Sequence, residues 1–343
     1  MPGLGRGWER DEELRIVVRF SGRSRHDDDN EPVRALPTPV LGMLSLLRSV
    51  RALPRGQRVC CTHLTVLLNG PADNAKVRAW FLQRVPVWLG GVDVRVDSVP
   101  TGNMQSWLAQ MERVAWRQPA PPTSAAGGQL QWERPPSDRA VLFFVEEDYL
   151  HAEAAVLAVL RFFGAYEPCV VVPYDSPEQY SPATRGNLAK FGPTYHRAAV
   201  LQGGSPNNGG SGGAAGDEAG GGDLRDAQQL PHHWRSTTMA TVTWAARAGL
   251  LRELRRCCSK KDSLKDVLPQ PLNDFANARA LAERLGVWSP LPSLSCHIHR
   301  NNPALCAASF DRRGVEAAAA RDAATLRFPV HSLSPLQNRS NRV

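Results

Sequence analysis

The chain has 343 residues, of which 42% are hydrophobic and 22% charged, and this composition excludes wholesale disorder and a coiled coil. The formal net charge of +8 favours an anionic partner, but the basic residues are spread along the chain without a block of like charges, so no nucleic-acid partner is expected. No stretch approaches the roughly 18 apolar residues of a membrane helix, and no membrane span is expected.

The seven cysteines lack the regular spacing of a disulfide framework. They are therefore expected to be reduced, and the chain to be cytoplasmic by default. A location in the Golgi or ER lumen is expected only if an N-terminal anchor precedes Met1.

Strand-like and helix-like segments alternate along the first half of the chain, which predicts an α/β fold. The central sheet is expected to be mostly parallel, with helices on both faces. The predicted strands are residues 14–20, 58–68, 92–96, 140–145 and 169–173, and the predicted helices are residues 40–52, 72–83, 104–116 and 151–163.

A single domain is predicted, spanning residues 14–328, between a disordered N-terminus of residues 1–13 and a disordered tail of residues 329–343. Flexible insertions are expected at residues 117–136 and 203–226, where Gly, Ala, Pro and Ser dominate. The C-terminal part is expected to close over one edge of the sheet. It contains a basic helix at 245–256, a proline-punctuated segment at 269–292 and an alanine-rich helix at 315–326.

Three consecutive acids, Glu146, Glu147 and Asp148, directly follow the most apolar predicted strand. Ligands of open parallel sheets bind at the carboxyl ends of the strands. Adjacent carboxylates repel one another, and a divalent cation such as Mg²⁺ or Mn²⁺, or a raised pKa, relieves that repulsion. By itself such a triplet is typical of a solvated acidic turn, and a cation site is the alternative that its position after a buried strand suggests.

Residues 141–151, Val-Leu-Phe-Phe-Val-Glu-Glu-Asp-Tyr-Leu-His, resemble a motif of a mostly uncharacterised family of A-type, Rossmann-like glycosyltransferases of the DxD type. Further blocks of that family occur in the same order, from about residue 100 to residue 300. They are the turn Gly102-Asn103, residues 173–177 (Pro-Tyr-Asp-Ser-Pro), residues 233–239 (His-Trp-Arg-Ser-Thr-Thr-Met), and residues 288–294 (Trp-Ser-Pro-Leu-Pro-Ser-Leu) with His297.

The resemblance implies a single A-type glycosyltransferase domain that moves a sugar from a nucleotide-diphosphate donor to a hydroxyl acceptor, with Mn²⁺ or Mg²⁺ as cofactor. Asp148, Glu147 and His297 would hold the metal, and Asp175 would be the catalytic base. The implied substrate-binding residues are Glu146, Gly102, Asn103, His233, Trp234 and Arg235. Purely structural roles remain the alternatives for four of these residues. Asp175 would then lie in an ordinary turn, Trp234 in the core, and Arg235 and His297 at the surface.

Other functions remain open. Glu147, Ser176 and His299 depart from the family pattern, which favours a non-catalytic relative that binds a nucleotide or a partner. A sugar-phosphate nucleotidyltransferase could use the same sheet and acids, and a nucleic-acid binder is supported by the net charge alone. A structural zinc site is a weaker alternative, since Cys296, His297, His299 and Cys306 lack the usual spacing. Arg19 and Asn69, at the ends of the first two predicted strands, are candidates for lining a nucleotide pocket.

Overall fold

The computed structural model describes residues 13–22, 36–56, 58, 62–99, 135–166, 170–175, 200–201, 232–237, 243–257, 287–298 and 310–333. The strands with bounds in these ranges are β1 Leu14–Phe20, β2 Thr62–Leu68, β3 Asp93–Ser98, β4 Val141–Glu146, β5 Tyr149–His151, β6 Val170–Val171, β7 Val200–Leu201, β8 His233–Thr237, β9 Trp244–Arg247, β10 Val287–Leu291 and β11 Ser295–His297. The helices are α1 Thr38–Arg51, α2 Ala75–Leu89, α3 Ala155–Ala165, α4 Ala248–Cys257 and α5 Arg312–Leu326, with 3-10 turns at Gly70–Ala72 and Val330–Leu333.

Nine of the described strands form one sheet in the order β3-β2-β1-β4-β9-β6-β10-β8-β7. The pairs β3-β2, β2-β1, β1-β4 and β6-β10 are parallel, and the other four pairs are antiparallel. Only β8 and β9 therefore run against the direction of the other strands in this sheet. The predicted α/β fold with a mostly parallel central sheet is confirmed at this level.

Successive strands are added first to one side of β1 and then, from β4 on, to its other side. The chain runs from β1 through α1, β2 and α2 to β3 on one side, and β4 then pairs with the opposite edge of β1. Such a reversal leaves a crevice at the carboxyl ends of the two strands, and ligands of doubly wound sheets bind there. The acidic triplet lies at this point, since Glu146 is the last residue of β4.

The core divides into two layers because successive side chains of a strand point to opposite faces of the sheet. On β4, Phe143 joins a cluster with residues of α1, α2, α3 and α5, whereas Phe144 joins a second cluster with residues of α4. Both rings are at most 1% exposed. Burial on both faces of the sheet explains why β4 is an uninterrupted apolar run, and it is what that run predicted.

Several elements differ from their predictions. His151, expected to begin a helix, ends the short strand β5, and α3 begins at Ala155. The C-terminal part does not merely cover an edge, because β9 lies between β4 and β6, and β10 lies between β6 and β8. Val330–Leu333, expected in the disordered tail, form a 3-10 turn with Leu333 buried.

Other predicted segments, namely the helix 104–116 and the insertion 203–226, lie outside the described residues, as does most of the insertion 117–136. In the part of the chain that is described, no helix combines the length and apolar character needed to cross a membrane.

Candidate functional site at the carboxyl ends of β1 and β4

Glu146 forms an ion pair with Arg19 across the β1–β4 ladder. The two residues are register partners, and Arg19 Nη2 donates to Glu146 Oε1 at 3.1 Å. Their side chains are only 8% and 13% exposed, so water screens this pair weakly. The backbone amide of Glu146 also donates to Thr243 Oγ1 at 3.1 Å, which attaches the end of β4 to the start of β9.

Glu147 turns its carboxylate toward the residues that follow β1. Its Oε2 accepts hydrogen bonds from Ser21 N at 2.7 Å and Gly22 N at 3.1 Å, and its Oε1 accepts one from Ser21 Oγ. Gly22 has φ of +69°, a conformation that glycine adopts without steric cost. Burial raises the pKa of Glu147 to about 7, although the hydrogen bonds from Ser21 and Gly22 oppose that rise. The Glu147 carboxylate, which was predicted to hold a metal, therefore accepts hydrogen bonds from the Ser21–Gly22 turn.

Asp148 meets His297, which lies 149 residues further along the chain, with His297 Nε2 and Asp148 Oδ2 3.2 Å apart. An ionised carboxylate only accepts hydrogen bonds, so His297 is the donor. Burial tends to raise the pKa of Asp148, but the hydrogen bond and charge of His297, with the charge of Arg19, hold it below its usual value. Within the described residues, the buried Oδ1 of Asp148 has no hydrogen-bond partner.

The small sheet formed by β5 and β11 brings Asp148 and His297 together. Its antiparallel register pairs Tyr149 with His297 and His151 with Ser295. Both pairs are reinforced by side chains: the Tyr149 and His297 rings stack at 4.7 Å between centroids, and His151 Nδ1 is hydrogen-bonded to Ser295 Oγ at 3.0 Å. The amide of Ile298 also donates to the carbonyl of Asp148 at 2.7 Å.

His151 and the turn at Glu147 rest directly on α1. The amide of His151 donates to Ser45 Oγ at 3.0 Å. A Cβ added to Gly42 would lie 2.0 Å from the carbonyl oxygen of Glu147 and 2.9 Å from that of Tyr149. A glycine is therefore required at this position of α1.

Asp175 lies on the same edge of the sheet, four residues beyond the end of β6. It is 5% exposed, and its amide donates to Ser293 Oγ at 2.8 Å. Its Oδ1 lies 3.5 Å from Ser289 Oγ. The neighbouring Tyr174 ring meets the Tyr149 ring edge-on at 5.6 Å, which links Asp175 to the aromatic stack on His297. Asp175 is thus part of a hydrogen-bonded network beside the site.

The serine hydroxyls of the segment 289–295 were not assigned roles from the sequence. Ser289, Ser293 and Ser295 are at most 5% exposed, and each bonds to a residue of this edge. The one sequence signal for these buried hydroxyls was the alternation of serine with Pro and Leu before His297. The partners themselves depend on strand order and could not be read from spacing.

Of the other predicted substrate-binding residues, His233 and Trp234 have described side chains, and neither is brought to the Asp148–His297 pair. His233 begins β8 at the same edge, but β8 is four strands from β4, about 19 Å at ~4.8 Å per strand. Trp234 is fully buried and packs on Phe162 at 4.2 Å, so the structure gives it the core position that the sequence left open. Arg235 lies in β8, and its side chain is outside the described part. Gly102 and Asn103 lie outside the described residues.

Two expectations about cysteine chemistry change. Cys296, expected to be reduced, is disulfide-bonded and fully buried. A disulfide sulfur is not a thiolate ligand, so the prediction of a structural zinc site built on Cys296 is wrong.

The described residues contain no group of three or more His, Cys, Asp or Glu side chains arranged to hold a metal. Glu147 does not join Asp148 and His297 in such a group.

The two candidates for a nucleotide pocket lie at the carboxyl ends of β1 and β2. Arg19 is committed to Glu146, as described above. Asn69 is 9% exposed, and its buried Oδ1 has no hydrogen-bond partner in the described residues. Both residues lie at the same edge of the sheet as the acidic triplet, because β1, β2 and β4 are parallel.

Comparison with protein-family models gives no match to this chain, and no curated protein is significantly similar to it.

Proposed function

We propose that the protein is a metal-dependent glycosyltransferase that moves a sugar from a nucleotide-diphosphate donor to a hydroxyl acceptor. The supporting observation is the Asp148–His297 pair at the switch point of the sheet, where one buried oxygen of Asp148 has no hydrogen-bond partner among the described residues. A buried unpaired carboxylate oxygen costs free energy, and a ligand that bonds to it recovers that cost. The resemblance of residues 141–151 to A-type glycosyltransferases supports the same function.

The residues present fit a divalent cation held partly by its substrate. Asp148 and His297 would hold Mn²⁺ or Mg²⁺, with phosphate oxygens and water completing the coordination. His297 binds a cation only through an unprotonated ring nitrogen, so Nε2 would exchange its hydrogen bond to Asp148 for the metal. When bound, the cation would neutralise the charge that develops on the departing diphosphate. Glu147 is assigned to the Ser21–Gly22 turn instead, because both of its oxygens already accept hydrogen bonds.

Other side chains at the same edge of the sheet would bind the donor and deprotonate the acceptor. Arg19 holds the Glu146 carboxylate in place, which suits that carboxylate to accept a hydrogen bond from a donor hydroxyl. Asp175 would take the proton from the acceptor hydroxyl, a role for which a carboxylate fixed through its backbone and Oδ1 is suited. The ring of Tyr149 orients His297 by stacking on it.

A non-catalytic relative that binds a nucleotide or a partner is the second candidate. Two of the three acids already have partners within the protein: Glu146 pairs with Arg19, and Glu147 accepts hydrogen bonds from the amides of Ser21 and Gly22. Such contacts stabilise a fold without requiring chemistry. Binding and turnover must therefore be measured separately.

Calorimetry with a panel of nucleoside diphosphates, with and without MnCl₂, tests the proposal. Asp148→Ala is expected to abolish the Mn²⁺-dependent part of the binding, because it removes both Oδ1 and the oxygen that bonds to His297. Glu153→Ala is the matched control, since Glu153 is an acid that is 63% exposed and pairs with Arg48 on the surface. Unchanged Mn²⁺-dependent binding in Asp148→Ala would refute the metal site.

Turnover separates the two candidates once binding is shown. Incubation with nucleotide sugars and Mn²⁺ is expected to release the nucleoside diphosphate, and Asp175→Asn is expected to slow that release more than it weakens nucleotide binding. Metal-dependent binding without turnover on any donor would favour the non-catalytic relative.

A further inference from the structure

One buried hydroxyl, that of Ser293, contacts both parts of the edge described above. Ser293 is 5% exposed. Its Oγ accepts a hydrogen bond from the amide of Asp175 at 2.8 Å and donates one to the carbonyl of Ser295 at 2.7 Å. The carbonyl of Pro173 lies further away, at 3.5 Å. A serine hydroxyl has a single proton, and the shorter contact to Ser295 is the better one for it.

The Ser295 side of this contact leads to the Asp148–His297 pair. Ser295 begins β11, and only Cys296 separates it from His297. The three-residue ladder to β5 then places His297 beside Tyr149, and the amide of Ile298 bonds to the carbonyl of Asp148. Ser295 and His297 belong to the same three-residue strand, so a shift of the Ser295 backbone is passed on to His297. The amide of Leu294 also bonds to the carbonyl of Pro173 at 3.0 Å, which is a second link between the two segments.

We propose that Ser293 is a positioning residue that couples the location of Asp175 to that of the Asp148–His297 pair. Its significance for sugar transfer rests on the proposed function, whereas the coupling itself is a property of the fold. Ser293→Ala would leave the amide of Asp175 without its acceptor and the carbonyl of Ser295 without its donor. Buried backbone groups do not remain unpaired without cost, so both segments would move to find partners.

Amide hydrogen exchange tests the coupling without any ligand. The reporter is the amide of Ile298, which bonds to Asp148 and makes no bond to Ser293. After correction for global stability, its exchange in Ser293→Ala is expected to be faster by about tenfold, the scale set by one unsatisfied buried group. Ser49→Ala is the matched control, because Ser49 is also buried and its Oγ accepts from the amide of Val156 in α3 and not from Asp175.

Ser293→Thr separates the hydroxyl from simple packing. The threonine keeps the hydroxyl, and slow exchange at Ile298 is expected to return. Equal protection of Ile298 in Ser293→Ala and in Ser49→Ala would overturn the proposal. Fast exchange in both Ser293→Ala and Ser293→Thr would do the same, because packing would then be responsible.

A Mn²⁺ titration followed by electron paramagnetic resonance adds a readout that a purely structural hydroxyl would not alter. Ser293→Ala is expected to weaken Mn²⁺ binding about tenfold, the scale of losing a support behind a metal ligand, while Ser49→Ala leaves it unchanged. Absence of Mn²⁺ binding in the unmodified protein would count against the proposed function alone, since the exchange experiment still decides the coupling.

Discussion

The ionisable residues at the carboxyl ends of β1 and β4 have different partners although they are adjacent in sequence. Glu146 pairs with an arginine, Glu147 with backbone amides, and Asp148 with a histidine. Their expected chemistry differs accordingly: only Asp148 retains a buried oxygen without a partner in the described residues. This difference makes Asp148 the principal residue of the proposed metal site.

The Arg19–Glu146 pair is expected to behave as a buried ion pair. Arg19→Met would leave the Glu146 carboxylate without its cation in a largely water-excluded place, which costs about 3 kcal/mol. Urea unfolding is the measurement, and adding Glu146→Gln to Arg19→Met is expected to recover part of the loss. Arg312→Met is the control, because its pair with Glu316 joins successive turns of α5, is more exposed at 22% and 26%, and should contribute below about 1 kcal/mol.

His151 is expected to make the free energy of unfolding depend on pH. Burial lowers its pKa from 6.5 to about 3 in the folded protein. The unfolded chain therefore binds a proton that the folded chain excludes, so stability is complete above about pH 6.5 and is lost as the pH falls toward 3. The slope approaches ~1.4 kcal/mol per pH unit within this window.

The measurement is urea unfolding between pH 4 and pH 7 for the unmodified protein and for His151→Asn. The variant loses packing at every pH, but its stability should fall less steeply below pH 6.5 because the excluded proton is gone. His331→Asn is the control, because it replaces an exposed histidine. Identical slopes in the unmodified protein and His151→Asn would contradict the assignment.

At the scale of elements, α1 and the short strand β5 fix the turn that carries Glu147 and Asp148. Gly42 lets the backbone of α1 approach the carbonyl of Glu147, and Ser45 bonds to the amide of His151. The β5–β11 ladder then adds His297 from the opposite side. The candidate site is thus held between a helix and a two-stranded sheet that lies outside the main sheet.

Gly42→Ala is expected to destabilise the protein by about 3 kcal/mol, because the added methyl group meets backbone atoms that have little room to move. The higher helix propensity of alanine, worth ~1 kcal/mol, offsets only part of that cost. Thermal or urea unfolding measures the change. Gly56→Ala is the control, since its added Cβ meets nothing within 4 Å, and stability equal to that of Gly42→Ala would contradict the close contact.

At the scale of the whole molecule, the sheet is built from segments that are distant in sequence. β9 lies between β4 and β6, and β10 pairs with β6, so early and late parts of the described chain share one hydrogen-bonded layer. Neither part completes the sheet alone. Cooperative unfolding of the described core is the expected consequence.

A pair of substitutions on β4 tests this cooperativity. Phe143 and Phe144 point into the two different core clusters, and Phe→Leu at either position is expected to cost roughly 1 to 2 kcal/mol. Both variants should shift one and the same transition in near-UV and far-UV circular dichroism. Two separable transitions, each sensitive to one of the variants, would show that the two layers unfold independently.

The sequence by itself determined the α/β class, most elements of the first half, and the position of the acids after a buried strand. These features are local, because apolar periodicity sets helix and strand, and the end of an apolar run sets the end of the strand. Only the tertiary structure decided that β9 enters the sheet and that Glu147 bonds to Ser21. The family resemblance implied that Asp148 and His297 share one site, and the tertiary structure supplied the hydrogen bond between them. Those outcomes depend on strand order and on pairing between segments far apart in the chain, for which local periodicity carries no signal.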